Sequence, residues 1–105
     1  MKPKQQRIAI AEACGWKKEY ILCNGMDCDV WVHPNGRDCR LTEWFPSYLS
    51  DLNAMHEAEK ILSEMQYAYY AQHLYMICKT AHNRIRATAA QRAEAFLRTL
   101  NLWSE

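Results

Sequence analysis

The stretch "YAYYAQHLYMICKTA", residues 67–81, decides the fold, because its apolar side chains recur with the period of an α-helix. They stand at i, i+3, i+4, i+7, i+10, i+11 and i+14, and this spacing is typical of the buried side of an amphipathic helix. The pattern predicts a helix over residues 66–81 whose core side is formed by Tyr67, Tyr70, Ala71, Leu74, Ile77, Cys78 and Ala81.

A second helix is predicted immediately before this run, over residues 47–65. Pro46 has a fixed φ, Ser47 and Ser50 offer side-chain caps, and no helix breaker follows in this segment. Apolar residues at helical spacing predict the buried side of this helix, which comprises Tyr48, Met55, Ala58, Leu62 and Met65.

A third helix is predicted over residues 88–101. Thr88 and Gln91 form a capping box, in which each side chain satisfies a backbone donor at the start of a helix. The stretch "HNRIRAT" just before it is interpreted either as a short strand at residues 83–87 or as an extended connector. The predicted buried side of the third helix comprises Ala89, Ala93, Phe96, Leu97 and Leu100.

The N-terminal part predicts one more helix and a β-hairpin. Good helix formers predict a helix over residues 4–14, and Gly15 follows where a glycine commonly ends a helix. The segments "EYILCN" and "DVWVHP" are rich in β-branched and aromatic residues, and "NGMD" between them supplies a turn, which predicts a short antiparallel sheet at residues 19–33. The predicted fold class is α+β, in a single domain over residues 1–105.

Size and composition limit the class of protein. A chain of 105 residues with 50% hydrophobic residues and a net charge of +1 is ordinary for one globular domain. Its longest uncharged apolar run is shorter than the roughly 18 residues that a membrane-spanning helix needs, so we expect no membrane partner. The N-terminus lacks a secretory leader pattern and the five cysteines are an odd number, so reduced thiols in a cytoplasm are expected.

Three stretches carry a resemblance to a known family: "IAEACGW" at residues 10–16, "YLSDLNAMHEAEKIL" at 48–62 and "ATAAQRAEAFLRTLNLW" at 87–103. In these stretches, and in their order, the chain resembles the phage ABA-sandwich domain family of small bacteriophage and prophage proteins of unknown function. The resemblance implies an α/β/α-type sandwich, a phage or prophage origin and a site of action in the host cytoplasm. It implies no reaction and assigns no role to any residue.

Cys23, Cys28, His33 and Cys39 are candidate zinc ligands, because they read C-x4-C-x4-H-x5-C. Three thiolates and one imidazole can complete a tetrahedral zinc site, and the order of the ligands echoes a zinc knuckle. A knuckle needs its first two cysteines close together in a tight turn, whereas the spacing here straddles a hairpin. The alternative is that the cysteines fill space in the hairpin as small hydrophobic residues, with no metal or cofactor.

No catalytic constellation is evident in the sequence. "HEAEK", residues 56–60, resembles the start of the H-E-x-x-H zinc-protease helix, but Lys60 stands where the second histidine is needed. Capping, solvation and interhelical hydrogen bonds explain His56, Glu57 and Glu59 without catalysis. We therefore expect a protein that is not an enzyme.

A basic C-terminal region suggests one kind of binding. Five cations with a nearby tyrosine can hold phosphates and stack on a base, which would give weak and strongly salt-dependent binding of nucleic acid. Arginines on a helix also commonly form salt bridges to neighbouring acidic helices. The cations and the nearby tyrosine are Lys79, Arg84, Arg86, Arg92, Arg98 and Tyr75.

The chain has more large aromatic side chains than one small core can bury, so some must reach the surface. Exposed tyrosine, tryptophan and arginine dominate protein interfaces, which favours a protein partner or self-association, with Tyr69 and Tyr75 among the candidate contacts. The alternative is that the rings seal the edges of a thin sandwich. The leading hypothesis is a phage accessory protein that binds a host or phage macromolecule and modulates host machinery or defence; the alternative is a nucleic-acid-binding module.

Overall fold

A computed structural model describes residues 1–23, 25–33, 36, 38–39 and 45–104, without the side chains of residues 20–23, 26–29, 38–39 and 81. Helices and strands follow the order that the sequence predicts, and the α+β fold class is confirmed. The elements are α1 (Pro3–Ala13), β1 (Lys17–Cys23), β2 (Met26–Val32), β3 (Asp38–Cys39), α2 (Leu52–Glu59), α3 (Glu64–Cys78), α4 (Ala81–Ile85) and α5 (Ala89–Thr99).

The sheet is an antiparallel hairpin with a short third strand. β1 pairs with β2 in a register that places Lys17 opposite Val32, and Gly25 in the turn has a φ of 80°, a conformation that glycine adopts without a steric penalty. β3 adds to the free edge of β2, with Trp31 opposite Cys39. The hairpin predicted at residues 19–33 is therefore confirmed, while β3 was not predicted.

The helix predicted over residues 47–65 is wrong in its bounds, because turns precede and follow the shorter helix α2 within this range. Asp51, rather than Ser47 or Ser50, caps α2: its Oδ1 accepts a hydrogen bond from the backbone N–H of Asn53 at 2.9 Å. α2 ends at Glu59, and Ser63 begins α3 through a capping box with Gln66. The pair Ser63 and Gln66 starts a new helix here. The amphipathic pattern of residues 47–65 therefore includes all of α2 and the start of α3.

The two interpretations of residues 83–87, a short strand or an extended connector, are also wrong, because α4 occupies Ala81–Ile85. The Thr80 side chain accepts a hydrogen bond from the backbone N–H of Asn83 at 3.0 Å and caps this short helix. The predicted capping box of Thr88 and Gln91 is confirmed at the start of α5. Local side-chain capping therefore favours helix on both sides of the short connection.

The hydrophobic core is centred on α5, which packs against α1, α2 and α3. The predicted buried side of α5 is confirmed in full for Ala89, Ala93, Phe96 and Leu97, whereas Leu100 is half-buried. Two predicted core residues of the other helices are wrong: Met65 is 71% exposed and Tyr67 is 49% exposed. Among the side chains that the structure describes, the largest fully buried ones are Tyr70, Phe96, Ile10, Met55 and Leu97.

Aromatic rings join the sheet to this helical core. The ring of Phe45 lies 5.3 Å from the rings of both Trp16 and Trp31, edge to face in each case. Trp16 stands just before β1 and Trp31 lies near the end of β2, so the described contacts are at one end of the hairpin. The finer arrangement that the family resemblance implies, with helices on both faces of the sheet, stays a prediction.

Candidate interaction surface

α3 has an inner and an outer side, and the outer side lacks charge. Successive residues of a helix are turned by about 100°, so the buried residues Tyr70, Leu74 and Cys78 define the inner side. Glu64 is the only Asp, Glu, Lys or Arg among the 15 residues of α3. We name the opposite side the outer face of α3; all its members are exposed, and they are Met65, Ala68, Tyr69, Gln72, Tyr75 and Met76.

The outer face of α3 exposes large apolar side chains to an unusual degree. Met65 and Met76 are each 71% exposed, Tyr69 is 54% exposed and Tyr75 is 46% exposed. A surface helix of a globular protein normally carries charged and polar residues on its solvent side. Contiguous exposed apolar residues of this kind mark sites of interaction with other molecules.

Four residues of the outer face follow a seam along α3. Met65, Tyr69, Gln72 and Met76 are separated by four, three and four residues, which is the a/d spacing of a coiled-coil heptad repeat. Tyr70, Leu74 and Cys78, which face the core, lie outside these a and d positions. α3 therefore presents one apolar side to its own core and a second seam to solvent.

Two of the five predicted basic residues form ion pairs within the described part of the chain. Arg92 has a 15% exposed side chain, and its Nη1 lies 3.5 Å from Oε1 of Glu59. Arg98 donates from Nε to Oε2 of Glu94 at 3.0 Å and lies 5.1 Å from the ring centre of Trp103. These contacts match the alternative interpretation, in which the arginines form salt bridges.

The other three basic residues lie around the end of α3 and along α4. The guanidinium of Arg84 stands 5.8 Å from the ring centre of Tyr75, within the range of a cation–π interaction. Lys79 ends α3 with a left-handed φ of 70°, and Arg86 follows α4; both are exposed. The structure thus brings Tyr75 and Arg84 together near the C-terminal end of α3. Lys79 and Arg86 lie close to this pair in the sequence.

The predicted zinc ligands Cys23, Cys28 and Cys39 have side chains outside the described part of the molecule, so the zinc site stays a prediction. The fourth residue, His33, donates from Nε2 to the carbonyl oxygen of Cys14 at 3.1 Å and packs 5.1 Å from the ring of Trp16. Among the side chains that the structure describes, no group of three or more His, Cys, Asp or Glu residues is placed to hold a metal ion.

A buried polar network joins α2, α3 and α5. The hydroxyl of Tyr70 donates to Oε1 of Glu59 at 2.5 Å, and Arg92 approaches the same oxygen. Nδ1 of His56 donates to Oε2 of Glu59 at 3.3 Å. Glu59 is 7% exposed, so these contacts satisfy a buried carboxylate. The sequence gives no direct signal of this network, because its members come from three separate helices.

Burial raises the pKa values of two groups, Tyr70 and Cys14. Burial, followed by the hydrogen bond to Glu59, raises the pKa of Tyr70 far above its usual range. Burial raises the pKa of the Cys14 thiol to about 11, although a hydrogen bond with Tyr48 acts in the opposite direction. Both groups therefore stay protonated at neutral pH.

Cys14 also lies beside an open groove of about 560 Å³ between α2 and the start of the hairpin. Trp16, His33, Tyr48 and Ile61 contribute to its walls. Its size falls within the usual range of ligand pockets, but its only described thiol is protonated at neutral pH. The groove therefore has the size of a binding pocket, and the Cys14 thiol beside it does not act as a nucleophile at neutral pH.

None of the helices in the described part of the chain is both long and apolar enough to span a bilayer. Comparison with protein-family models, with curated proteins and with solved structures finds no match to this chain.

Proposed function

We propose that this chain is a non-enzymatic phage accessory protein that binds a host or phage macromolecule, and that the outer face of α3 is its binding surface. The single observation that carries the binding role is the exposure of an uncharged seam, with Met65 and Met76 each 71% exposed. The phage origin is supported by the resemblance of the three sequence stretches described above. Modulation of host machinery or defence is the role we propose for such a protein.

The chemistry of the seam favours a protein partner with an apolar helical surface. Methionine side chains are flexible and polarizable and suit adaptable binding surfaces, whereas tyrosine adds a large rigid contact area. The seam offers no charge to a phosphate, since Glu64 is the only formally charged side chain of α3. A nucleic acid is therefore a poorer fit to this surface than a helix is.

The non-enzymatic part of the proposal rests on how the polar groups are used. Glu59, Tyr70 and Arg92 bind one another in the core, and the raised pKa of Tyr70 prevents the phenol from acting as a base near neutral pH. This network links α2, α3 and α5 on the inner side of α3.

The proposal is tested by capture from bacterial lysate with a matched pair of variants. Wild-type protein is compared with the Met65→Glu/Met76→Glu double variant and with a control, Leu52→Glu/Leu102→Glu, which adds the same charge at residues 44% and 41% exposed elsewhere. Burying a methionine contributes about 1.5–3 kcal/mol, so we expect at least a tenfold loss of the captured protein in the first variant alone. Equal capture by all three proteins, or no capture by any of them, would contradict the proposal.

A nucleic-acid-binding role is the second candidate, carried by the contact between Arg84 and Tyr75 with Lys79 and Arg86 close by in sequence. Three cations release few counterions, so the logarithm of affinity should fall with the logarithm of salt with a slope of only about −3. Gel-shift titration of single- and double-stranded DNA at several salt concentrations, with Arg84→Gln as the variant, measures this slope. Retardation that does not depend on salt, or none at all, would exclude this role.

A further inference from the structure

We infer that the outer face of α3 binds a second copy of the same chain, with the two α3 helices packed antiparallel about a two-fold axis. This inference rests on the proposed function, because it uses the same binding surface and names its occupant. It follows from three properties of the seam: its order of residues, the charges at its ends and its length.

The seam is symmetric about its own centre in its spacing and in its end residues. Read in either direction, its spacing is four, three and four residues, with a methionine at each end. In an antiparallel pair centred between Tyr70 and Ala71, Met65 of one copy meets Met76 of the other, and Tyr69 meets Gln72. An a position then meets a d position in every layer, as in antiparallel coiled coils. An isologous dimer needs such a self-complementary patch.

The charges at the ends of α3 favour the antiparallel direction. Glu64 is exposed at the first turn, and Lys79 is exposed at the residue that caps the last turn. Antiparallel packing brings Glu64 of each copy near Lys79 of the other, whereas parallel packing brings like charges together. Opposed helix dipoles also favour the antiparallel pair.

The centre of the seam supports a single register. Tyr69 and Gln72 form the two middle layers, so a polar amide lies in each of them. A polar residue inside a coiled-coil seam weakens the association but disfavours other registers. Ala68 lies beside these layers on the outer face and leaves room for the close approach of the second helix.

The short length of the seam limits the strength of the dimer. From Met65 to Met76 the helix rises about 16 Å, which is only three turns. Stable protein interfaces use about 20–30 residues from each side, far more than the outer face of α3 provides. We therefore expect a weak, reversible dimer with a dissociation constant on the order of 0.1 mM.

Sedimentation equilibrium over a range of concentrations tests the inference on the full chain. The buffer contains a reducing agent, because the chain has five cysteines and disulfide dimers must not contribute. The average mass of the wild type should rise from 12.4 kDa toward twice that value as concentration approaches about 1 mM. Met65→Glu/Met76→Glu should weaken the dimer at least tenfold, and Leu52→Glu/Leu102→Glu should leave it unchanged.

A charge-exchange variant tests the direction of packing. Met65→Glu/Met76→Lys leaves the net charge unaltered and places opposite charges in the outer layers of the antiparallel dimer. It should dimerise at low salt and dissociate as salt rises, since exposed ion pairs are screened. In a parallel dimer the same variant places like charges together and should be monomeric. Circular dichroism confirms that each variant is folded, which is expected because both positions are exposed.

The outcomes separate this inference from the proposed function. A wild type that remains monomeric at about 1 mM would overturn self-association, while loss of lysate capture in Met65→Glu/Met76→Glu would still support binding to a different partner. A dimer that persists in Met65→Glu/Met76→Glu would overturn the use of this face. A monomeric charge-exchange variant at low salt, alongside a dimeric wild type, would overturn the antiparallel arrangement.

Discussion

Replacing Tyr70 with phenylalanine tests the buried network that holds α2, α3 and α5 together. Tyr70→Phe removes only the hydroxyl that donates to Oε1 of Glu59 at 2.5 Å, and the ring of the 1% exposed side chain keeps its packing. A hydrogen bond to a charged group contributes about 1.5–3 kcal/mol. Arg92, at 3.5 Å, and His56, at 3.3 Å, still contact the Glu59 carboxylate, so it does not lose all partners.

We therefore expect Tyr70→Phe to lower the free energy of unfolding by about 2 kcal/mol, which corresponds to about 10 °C in melting temperature for a domain of this size. Urea unfolding followed by circular dichroism at pH 7 measures the change, with the slope of the transition unaltered. Tyr67→Phe is the control, because Tyr67 lies on the same helix but is 49% exposed. Its effect should stay within about 0.5 kcal/mol.

A double-mutant cycle assigns the loss to the bond with Glu59. Glu59→Gln keeps an acceptor for the tyrosine hydroxyl but removes the charge, so Tyr70→Phe should cost less in this background, by about 1 kcal/mol. If Tyr70→Phe lowers stability by less than about 0.5 kcal/mol in the wild type, or by the same amount in both backgrounds, the network does not support the fold as described.

Three further perturbations follow from the structure. Burial raises the pKa values of Cys14 and Tyr70, so both stay neutral in the folded chain at pH values where they ionise in the unfolded chain. The free energy of unfolding should therefore be at its full value below about pH 9 and fall as pH rises toward 11. The fall should be less steep in Cys14→Ala, which lacks the thiol. Urea titrations at several pH values measure this, and a constant free energy of unfolding over the range would contradict the burial of these two groups. Thr88→Ala removes the cap of α5 and should cost about 1 kcal/mol in the same assay, whereas an unchanged midpoint would mean that the capping box is not formed in solution. Lys79 has a φ of 70°, so Lys79→Gly should raise the melting temperature by relieving about 1 kcal/mol of backbone strain; a lower melting temperature would refute the left-handed cap.

Strong local patterns predicted most of the helices. The periodic run at residues 66–81 became α3, Glu64–Cys78, and the capping box of Thr88 became the start of α5. Gly15 follows α1 with a φ of 104°, as its position after a run of helix formers indicates. These elements are set by interactions between near neighbours in the chain, which a sequence shows directly.

The predictions from sequence are wrong where hydrophobic periodicity or composition competes with a local capping signal. The amphipathic pattern of residues 47–65 continues through a turn, but the capping box of Ser63 and Gln66 starts a new helix there. Thr80 likewise caps α4 in a segment whose composition suggests a strand or an extended connector. In both places a side chain that satisfies backbone donors decides the boundary, which hydrophobic period alone does not reveal.

The candidate surface was predictable only in part. A surplus of aromatic residues predicted that some reach solvent, and Tyr69 and Tyr75 are indeed exposed. Which side of α3 faces the core depends on its packing against α5, so the outer seam appears only in three dimensions. The same packing takes Arg92 out of the predicted basic group and places it against Glu59.

The junction at Phe45 makes the chain its own optical reporter. Trp16 and Trp31 both lie against this ring, so part of the intrinsic fluorescence follows the contact between the hairpin and the helices. Far-ultraviolet circular dichroism follows mainly the helices. Coincident transitions in the two signals mean that hairpin and helices unfold as one cooperative unit, and an earlier change in emission means that the hairpin detaches first.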